Sequence, residues 1–328
     1  MHTEIGHAPG LPRDSRRRSF AQTLSVYARL GNMKVYIQWL PPLIAWSLLA
    51  DPFGLSAAAA AALILFMLAC LAGAAAGGTL DDLQGFRDGI DQRTYGASDA
   101  VGGFQAKRDA SIKPLVTGEV TDAEAHRFGI AIGLVSVALG IAAFLIAPES
   151  PWWLGPLWVL WVFACSQYGY GLKVSYHGPG ELLLGIVIGA TVCFPLLFLE
   201  GELSWTGAFE AYLIGTLLSQ VTLFSMVYDR GVDAAAGRRT LAVRLPPPAY
   251  RILLVAWIAT GWVVAVTGFA VGALDVWLLL AWLPVWAVQV AQLVYGVKRG
   301  DPLTARLLGW HAFDVAFVTF ILANLLAR

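Results

Sequence analysis

Two short acidic stretches carry the chemistry that this chain can do. One reads DDLQGFRDGID, Asp81 to Asp91, and the other DRGVD, Asp229 to Asp233. In helical geometry Asp88 and Asp91 share a face, as do Asp229 and Asp233, so each pair can present oxygens to one hard cation. Basic residues follow both: Lys107, Arg108 and Lys113 after the first, Arg238 and Arg239 after the second. Acids backed by bases suit a ligand with several negative charges. Carboxylates do not hold a diphosphate directly; Mg2+ must bridge them, because it takes one or two carboxylates and completes its octahedral shell with phosphate oxygens and water. Lys and Arg then grip the remaining oxygens. A single DxxxD would be read as a solvated helix end, but two at equivalent positions ask for a scaffold that brings them together.

That scaffold is a membrane bundle. Of 328 residues, 58% are hydrophobic and 13% charged, a balance that would cover a soluble domain in apolar surface. Nine apolar runs are long enough to cross as helices: 35–50, 56–78, 123–147, 153–172, 181–199, 207–227, 250–270, 274–296 and 306–327. The expected fold is therefore all-α, a bundle of nine transmembrane helices with a cap on the cytoplasmic side. Residues 1–30 are polar and Arg-rich, lack the apolar core of a signal peptide and read as a partly disordered tail; residues 31–328 form one domain.

The net charge is zero, so orientation rests on how the charges are distributed. Arg13, Arg16, Arg17, Arg18 and Arg29, then Lys107, Arg108 and Lys113, then Arg230, Arg238, Arg239 and Arg244 fall on one side of nine spans. The opposite loops hold Asp51, Glu149, Glu200, Glu202 and Asp275 and no Lys or Arg. The positive-inside rule places the N-terminus and both acidic stretches in the cytoplasm. Cys70, Cys165 and Cys193 lie in spans without metal-ligand spacing and read as packing residues. Gln220, Gln289 and Gln292 read as contacts between helices.

Both acidic stretches and their surroundings resemble the UbiA superfamily of intramembrane prenyltransferases over roughly residues 30 to 327. The strongest piece is DRGVDAAAGRRTLAVRL, Asp229 to Leu245, similar to the second motif of the branch that prenylates dihydroxynaphthoate. KPLVTG, Lys113 to Gly118, and YHGPGE, Tyr176 to Glu181, are similar as well. The resemblance implies nine helices and two cytoplasmic Asp-rich motifs that bind a prenyl diphosphate through Mg2+. It assigns metal binding to Asp81, Asp82, Asp88, Asp91, Asp229 and Asp233, with Asp82, Asp88, Asp229 and Asp233 catalytic. Diphosphate binding falls to Lys107, Arg108, Lys113, Lys173, Arg238 and Arg239. Tyr168, Tyr176 and Tyr228 near the same helix ends, and His311 with Asp314 in the last span, are candidates for an acceptor or cation pocket. Interfacial anchoring of the tyrosines and a structural hydrogen bond at His311 and Asp314 are the competing readings.

The first motif departs from the family pattern NDxxDxxxD. In one frame Asp82 is the first Asp, Gly85 stands where a second is expected, and Gly89 and Asp91 form the GxD of the menaquinone-like branch. Shifted by one, Asp81, Gln84 and Asp88 take the three acidic positions. Ser225 and Met226 also replace a pair of Asn before Asp229. The expected reaction is Mg2+-dependent transfer of a prenyl group to an aromatic or other electron-rich acceptor. Cyclisation of the prenyl chain without a second substrate is the alternative, followed by a noncatalytic diphosphate binder and a secondary transporter, whose charged site would sit nearer mid-membrane. Expected partners are a prenyl diphosphate, an aromatic acceptor and the lipid bilayer, and not nucleic acid.

Overall fold

The computed structural model describes residues 18–95, 112–178 and 180–327. Thirteen α-helices run in chain order through them: α1 Phe20–Leu30, α2 Pro42–Leu48, α3 Ala57–Arg87, α4 Ile90–Tyr95, α5 Asp122–Ile146, α6 Leu154–Ser166, α7 Val174–His177, α8 Gly180–Leu199, α9 Trp205–Ala235, α10 Leu241–Arg244, α11 Pro247–Ala270, α12 Val276–Leu293 and α13 Pro302–Leu326. No strand occurs among the described residues.

Seven of these helices, α3, α5, α8, α9, α11, α12 and α13, are long and apolar enough to cross a bilayer. The expected count of nine is not reproduced by full-length helices. The run 153–172 yields α6, only 13 residues long. It stops because the chain folds back through Gly171 and Lys173, both at positive φ, while the Gln167 side chain accepts the Leu172 amide at 2.9 Å. The run 35–50 is broken into a 3-10 turn, Tyr36–Gln38, and the seven-residue α2. Pro41 and Pro42 lack the N–H groups that a continuous helix would need. Part of the polar segment before residue 31 is helical. Ser19 and Gln22 form a reciprocal capping box that starts α1, and Val26 and Leu30 bury against Leu80, Leu83, Leu115 and Val120.

Large apolar side chains such as Leu134, Leu145, Leu160, Ile186, Ile252 and Val263 are exposed on the bundle surface, as a lipid-facing wall requires. Inside, Phe66, Phe144, Trp158, Phe194 and Phe198 make a ring cluster with centroids 5.0 to 6.4 Å apart. Backbones approach closely where glycines face each other. A Cβ at Gly215 of α9 would lie 2.5 Å from the Gly185 carbonyl of α8, and one at Gly189 would lie 2.7 Å from that of Ala211, so this pair of helices uses small residues as membrane interfaces do. Gln289 of α12 donates to Gln220 of α9 at 3.0 Å and accepts from Trp262 of α11 at 2.6 Å, in line with the interhelical role expected for those glutamines.

Length positions the acids. α3 and α9 are each 31 residues, about 46 Å of helix, whereas about 30 Å spans the hydrocarbon. Each has two to three turns to spare, and the spare turns carry Asp81 and Asp82 on α3, and Asp229 and Asp233 on α9.

Candidate active site at one end of the bundle

The protruding end of α3 turns its carboxylates in two directions. Asp82 and Asp91 are almost wholly buried, 4% and 8% exposed, and meet one ammonium: Lys113 Nζ lies 2.5 Å from Asp82 Oδ1 and 3.4 Å from Asp91 Oδ2. Lys113 opens a tight turn in which its carbonyl accepts the Val116 and Thr117 amides, closed by Gly118 at φ 72°. α1 clamps that turn from outside, with Arg29 donating to both carboxylate oxygens of Glu119 at 3.0 and 2.8 Å. The Arg29 hydrogen bond holds the Glu119 carboxyl below its usual range.

Asp88 points instead toward the connection between α6 and α8. It accepts from Gln84 at 2.7 Å and from the Tyr176 hydroxyl, and Lys173 Nζ stands 4.0 Å away. Arg238, which follows α9, donates to the same Tyr176 hydroxyl at 2.8 Å, stacks over the Tyr176 ring at 4.2 Å and lies 3.8 Å from Asp233. Burial and the Asp88 contact raise the Tyr176 phenol above its ordinary value, so it stays protonated as a donor. Burial alone would lower the Arg238 guanidinium, but Asp81, Tyr176 and Asp233 outweigh it and keep the charge fixed. Through Tyr176 to Asp88 on one side and directly to Asp233 on the other, Arg238 links the two acidic stretches. The loops are also stitched by backbone: the Arg239 amide donates to the Tyr176 carbonyl at 2.8 Å, and Arg244 to that of His177 at 3.1 Å.

The candidate residues divide accordingly. Asp81, Asp82, Asp88, Asp91, Lys113, Lys173, Tyr176, Asp233 and Arg238 are brought together. Tyr168 belongs with them: it is pushed well above the usual phenol range, first by burial and then by Asp81 and Glu181. Asp229 is half-buried one turn before Asp233, and Tyr228 and the Arg239 side chain are exposed. His311 and Asp314 form a separate group on α13, with His311 Nδ1 3.8 Å from Asp314 and the Tyr36 hydroxyl donating to Asp314 at 2.5 Å. Lys107 and Arg108 lie outside the described residues.

Glu181 is the acid that sequence reasoning passed over, although its segment YHGPGE was singled out. It is fully buried in the first turn of α8 and influenced by Asp233, and its carboxylate oxygens have no hydrogen-bond partner among the described residues. An acid two residues after a proline, at the start of an apolar span, was the available signal. Among the described residues no three Asp, Glu, His or Cys side chains stand together as a ready-made metal cage.

A model of the UbiA prenyltransferase family matches residues 39–321. A 165-residue match, 27% identical, links 48% of the chain to 53% of the 1,4-dihydroxy-2-naphthoate octaprenyltransferase of Bacillus subtilis (strain 168). The chain spans about half the length of the curated relatives it matches. In fold it is similar to a UbiA homologue from Aeropyrum pernix K1, with TM-score 0.66 and 16% identity over 88% of this chain and 98% of that one. It is also similar to a UbiA homologue from Archaeoglobus fulgidus bound to DMAPP and Mg2+, with TM-score 0.57 and 14% identity over 90% of this chain and 98% of that one.

Proposed function

Because the chain belongs to the UbiA prenyltransferase family, we propose that it is an intramembrane, Mg2+-dependent prenyltransferase, which ionises an isoprenyl diphosphate and passes the prenyl group to an aromatic or other electron-rich acceptor. The observation that carries this reading is Arg238, a part-buried guanidinium that donates to the Tyr176 hydroxyl, itself bonded to Asp88 of the first acidic stretch, and lies 3.8 Å from Asp233 of the second.

The residues fit Mg2+ by donor type. Asp82 Oδ2 is buried and has no hydrogen-bond partner, Asp81 Oδ1 likewise, and Asp91 Oδ2 has only the Lys113 ion pair. Unsatisfied buried carboxylate oxygens are costly, and hard oxygen donors are what this cation selects. Three protein ligands on one ion are not required, since phosphate oxygens and water complete the shell. Asp81, Asp82 and Asp91 would hold Mg2+, and the chemistry it would supply is positive charge against the leaving diphosphate.

The chain's own residues do the rest. Lys113, Lys173 and Arg238 neutralise the diphosphate as the allylic C–O bond breaks and its electron pair leaves with oxygen. The Tyr176 hydroxyl, held between Asp88 and Arg238, keeps that guanidinium oriented. Helix walls exclude water that would quench the allylic cation. The acceptor's π electrons form the new C–C bond, and the displaced ring proton passes to a base. His311 and Asp314, with Tyr36, are candidates for that acceptor-facing role.

The test incubates purified protein and Mg2+ with prenyl diphosphates of ten to twenty carbons, with and without aromatic acceptors, and measures diphosphate release and extracted products. Acceptor-dependent product is the expected result. Hydrocarbon or terpene alcohol formed without an acceptor would assign cyclisation instead, and no release under any condition would end the catalytic reading.

A further inference from the structure

Phe20, Leu24 and Tyr27 lie at i, i+4 and i+7 on α1 and so share one face. Tyr27 is seated, its ring tilted against Phe128 of α5 with centroids 4.7 Å apart. Phe20 and Leu24, further along the same strip, are 84% and 58% exposed. A second face carries Val26 and Leu30, which bury against Leu80 and Leu83 of α3 and against Leu115 and Val120 of the Lys113 turn. The remaining side is polar, with Gln22 in the capping box, Arg18 donating to the Glu119 carbonyl and Arg29 to the Glu119 carboxylate. One apolar face of α1 therefore meets the bundle, and the other continues past it into the open.

What covers the open strip follows from where α1 stands. Counted from Ala57 at 1.5 Å per residue, Leu80 and Leu83 lie about 35 and 39 Å along α3, beyond the roughly 30 Å of hydrocarbon. α1 thus meets α3 at the depth of the headgroups. α5 gives the same level independently. Its exposed Arg127, Ile130, Leu134 and Ile141 fall in one helical stripe of the lipid-facing wall. Arg127 ends that apolar stripe with a charge on a long stem, as a side chain at the headgroups does, and Phe128, which seats Tyr27, is the next residue.

We infer that α1 is an interfacial helix: Phe20 and Leu24 enter the boundary between headgroups and acyl chains of the phospholipid leaflet on the site's side, and this contact steadies the Lys113 turn. The strip is continuous with a wall that lipid already covers. A helix lying in this plane buries its apolar side about 5–10 Å into the boundary, which takes two exposed apolar side chains out of water. The same helix reaches the turn through Val26, Leu30, Arg18 and Arg29, so what lipid holds, α1 passes to the segment that carries Lys113.

The test uses full-length protein in vesicles of phosphatidylcholine and phosphatidylglycerol. It needs no prenyl diphosphate, so its outcome is independent of the proposed function. An environment-sensitive fluorophore is attached to Phe20→Cys, to Leu24→Cys and, as a control off the strip, to Ser25→Cys, at an exposed position. Unsubstituted protein is the blank for Cys70, Cys165 and Cys193. Nitroxide lipid labelled near the headgroup should quench the first two at least about twofold more than Ser25→Cys, and lipid labelled near the chain end should quench them less. Equal quenching at all three, or none, overturns the inference. So does shielding of Leu24→Cys from aqueous iodide without quenching by lipid, which would mean that a protein segment or a second copy covers the strip. In the same vesicles, Phe20→Ser with Leu24→Ser should lower hydrogen-exchange protection of the Val116 and Thr117 amides about tenfold and leave α12 unchanged. Leu24→Gln replaces the double variant if α12 also loses protection. Unchanged protection in the turn overturns the link between lipid contact and Lys113.

Discussion

Arg238 is the side chain that stands between the two acidic stretches. It makes a hydrogen bond to Tyr176, a stacked contact with the same ring and an ion pair with Asp233, and only a planar guanidinium can do the first two at once. Arg238→Ala should lower kcat/KM for prenyl diphosphate by about a hundredfold or more, the scale seen when one donor to a developing oxyanion is removed. Arg238→Lys should restore little of it, and steady-state kinetics on both variants would decide. A lysine variant near wild-type rate would reduce Arg238 to a point charge. Glu181 makes a different case. Its buried carboxylate has no hydrogen-bond partner, so Glu181→Gln should leave thermal stability within about 1 kcal/mol of wild type or raise it, while changing the Mg2+ dependence of turnover if the group faces the bound cation.

Two element-scale devices hold the site in place. The α1 clamp fixes the Lys113 turn through Arg29 and Glu119, whose side chains are 22% and 31% exposed, so its own contribution is about 0.2–1 kcal/mol. Its pH dependence has a definite sign. The folded Glu119 carboxyl is held below the ordinary value of 4.5, so the contribution is complete above that value and is lost as pH falls through the lower folded-state one. Hydrogen exchange of α1 amides, corrected for intrinsic rates, should therefore show constant protection from neutral pH down to the ordinary glutamate range and loss below it. Arg29→Ala should remove this step. The contact between α8 and α9 is less forgiving. Gly215→Val would drive side-chain carbons toward a carbonyl already 2.5 Å from an ideal Cβ, and overpacking of this kind costs about 1–3 kcal/mol. The melting temperature in detergent should fall accordingly, and an unchanged value would mean the helices separate freely.

At the scale of the whole molecule, polarity is concentrated at one end. The acids and bases of the site cap that end, and Trp152 and Trp205 stand exposed at the other, where aromatic side chains settle at the headgroup level. The positive-inside pattern predicts that the site faces the cytoplasm. With a membrane-impermeant thiol reagent, Glu202→Cys should be labelled in intact cells, and Ala235→Cys only after permeabilisation. The reverse pattern would invert the molecule and require its diphosphate to be met outside.

Much of this was legible without coordinates. Apolar runs of membrane length need no partner to be recognised, because a helix satisfies its own backbone in lipid. The two acidic stretches, with the bases behind them, marked a candidate polyanion site by residue type and spacing. What remained open was every relation between segments far apart in the chain. Gly85 leaves its face of α3 without a side chain, and folding lays the Asp91 carboxylate there. Glu181 read as part of a loop motif, and folding buries its carboxylate in the first turn of α8, while the run that holds Pro41 and Pro42 divides into a 3-10 turn and α2. The physical reason is the same in each case. Spacing along a helix fixes which residues share a face, but packing between helices decides which faces meet, and only that meeting determines which carboxylates are stranded from water and which cation reaches them.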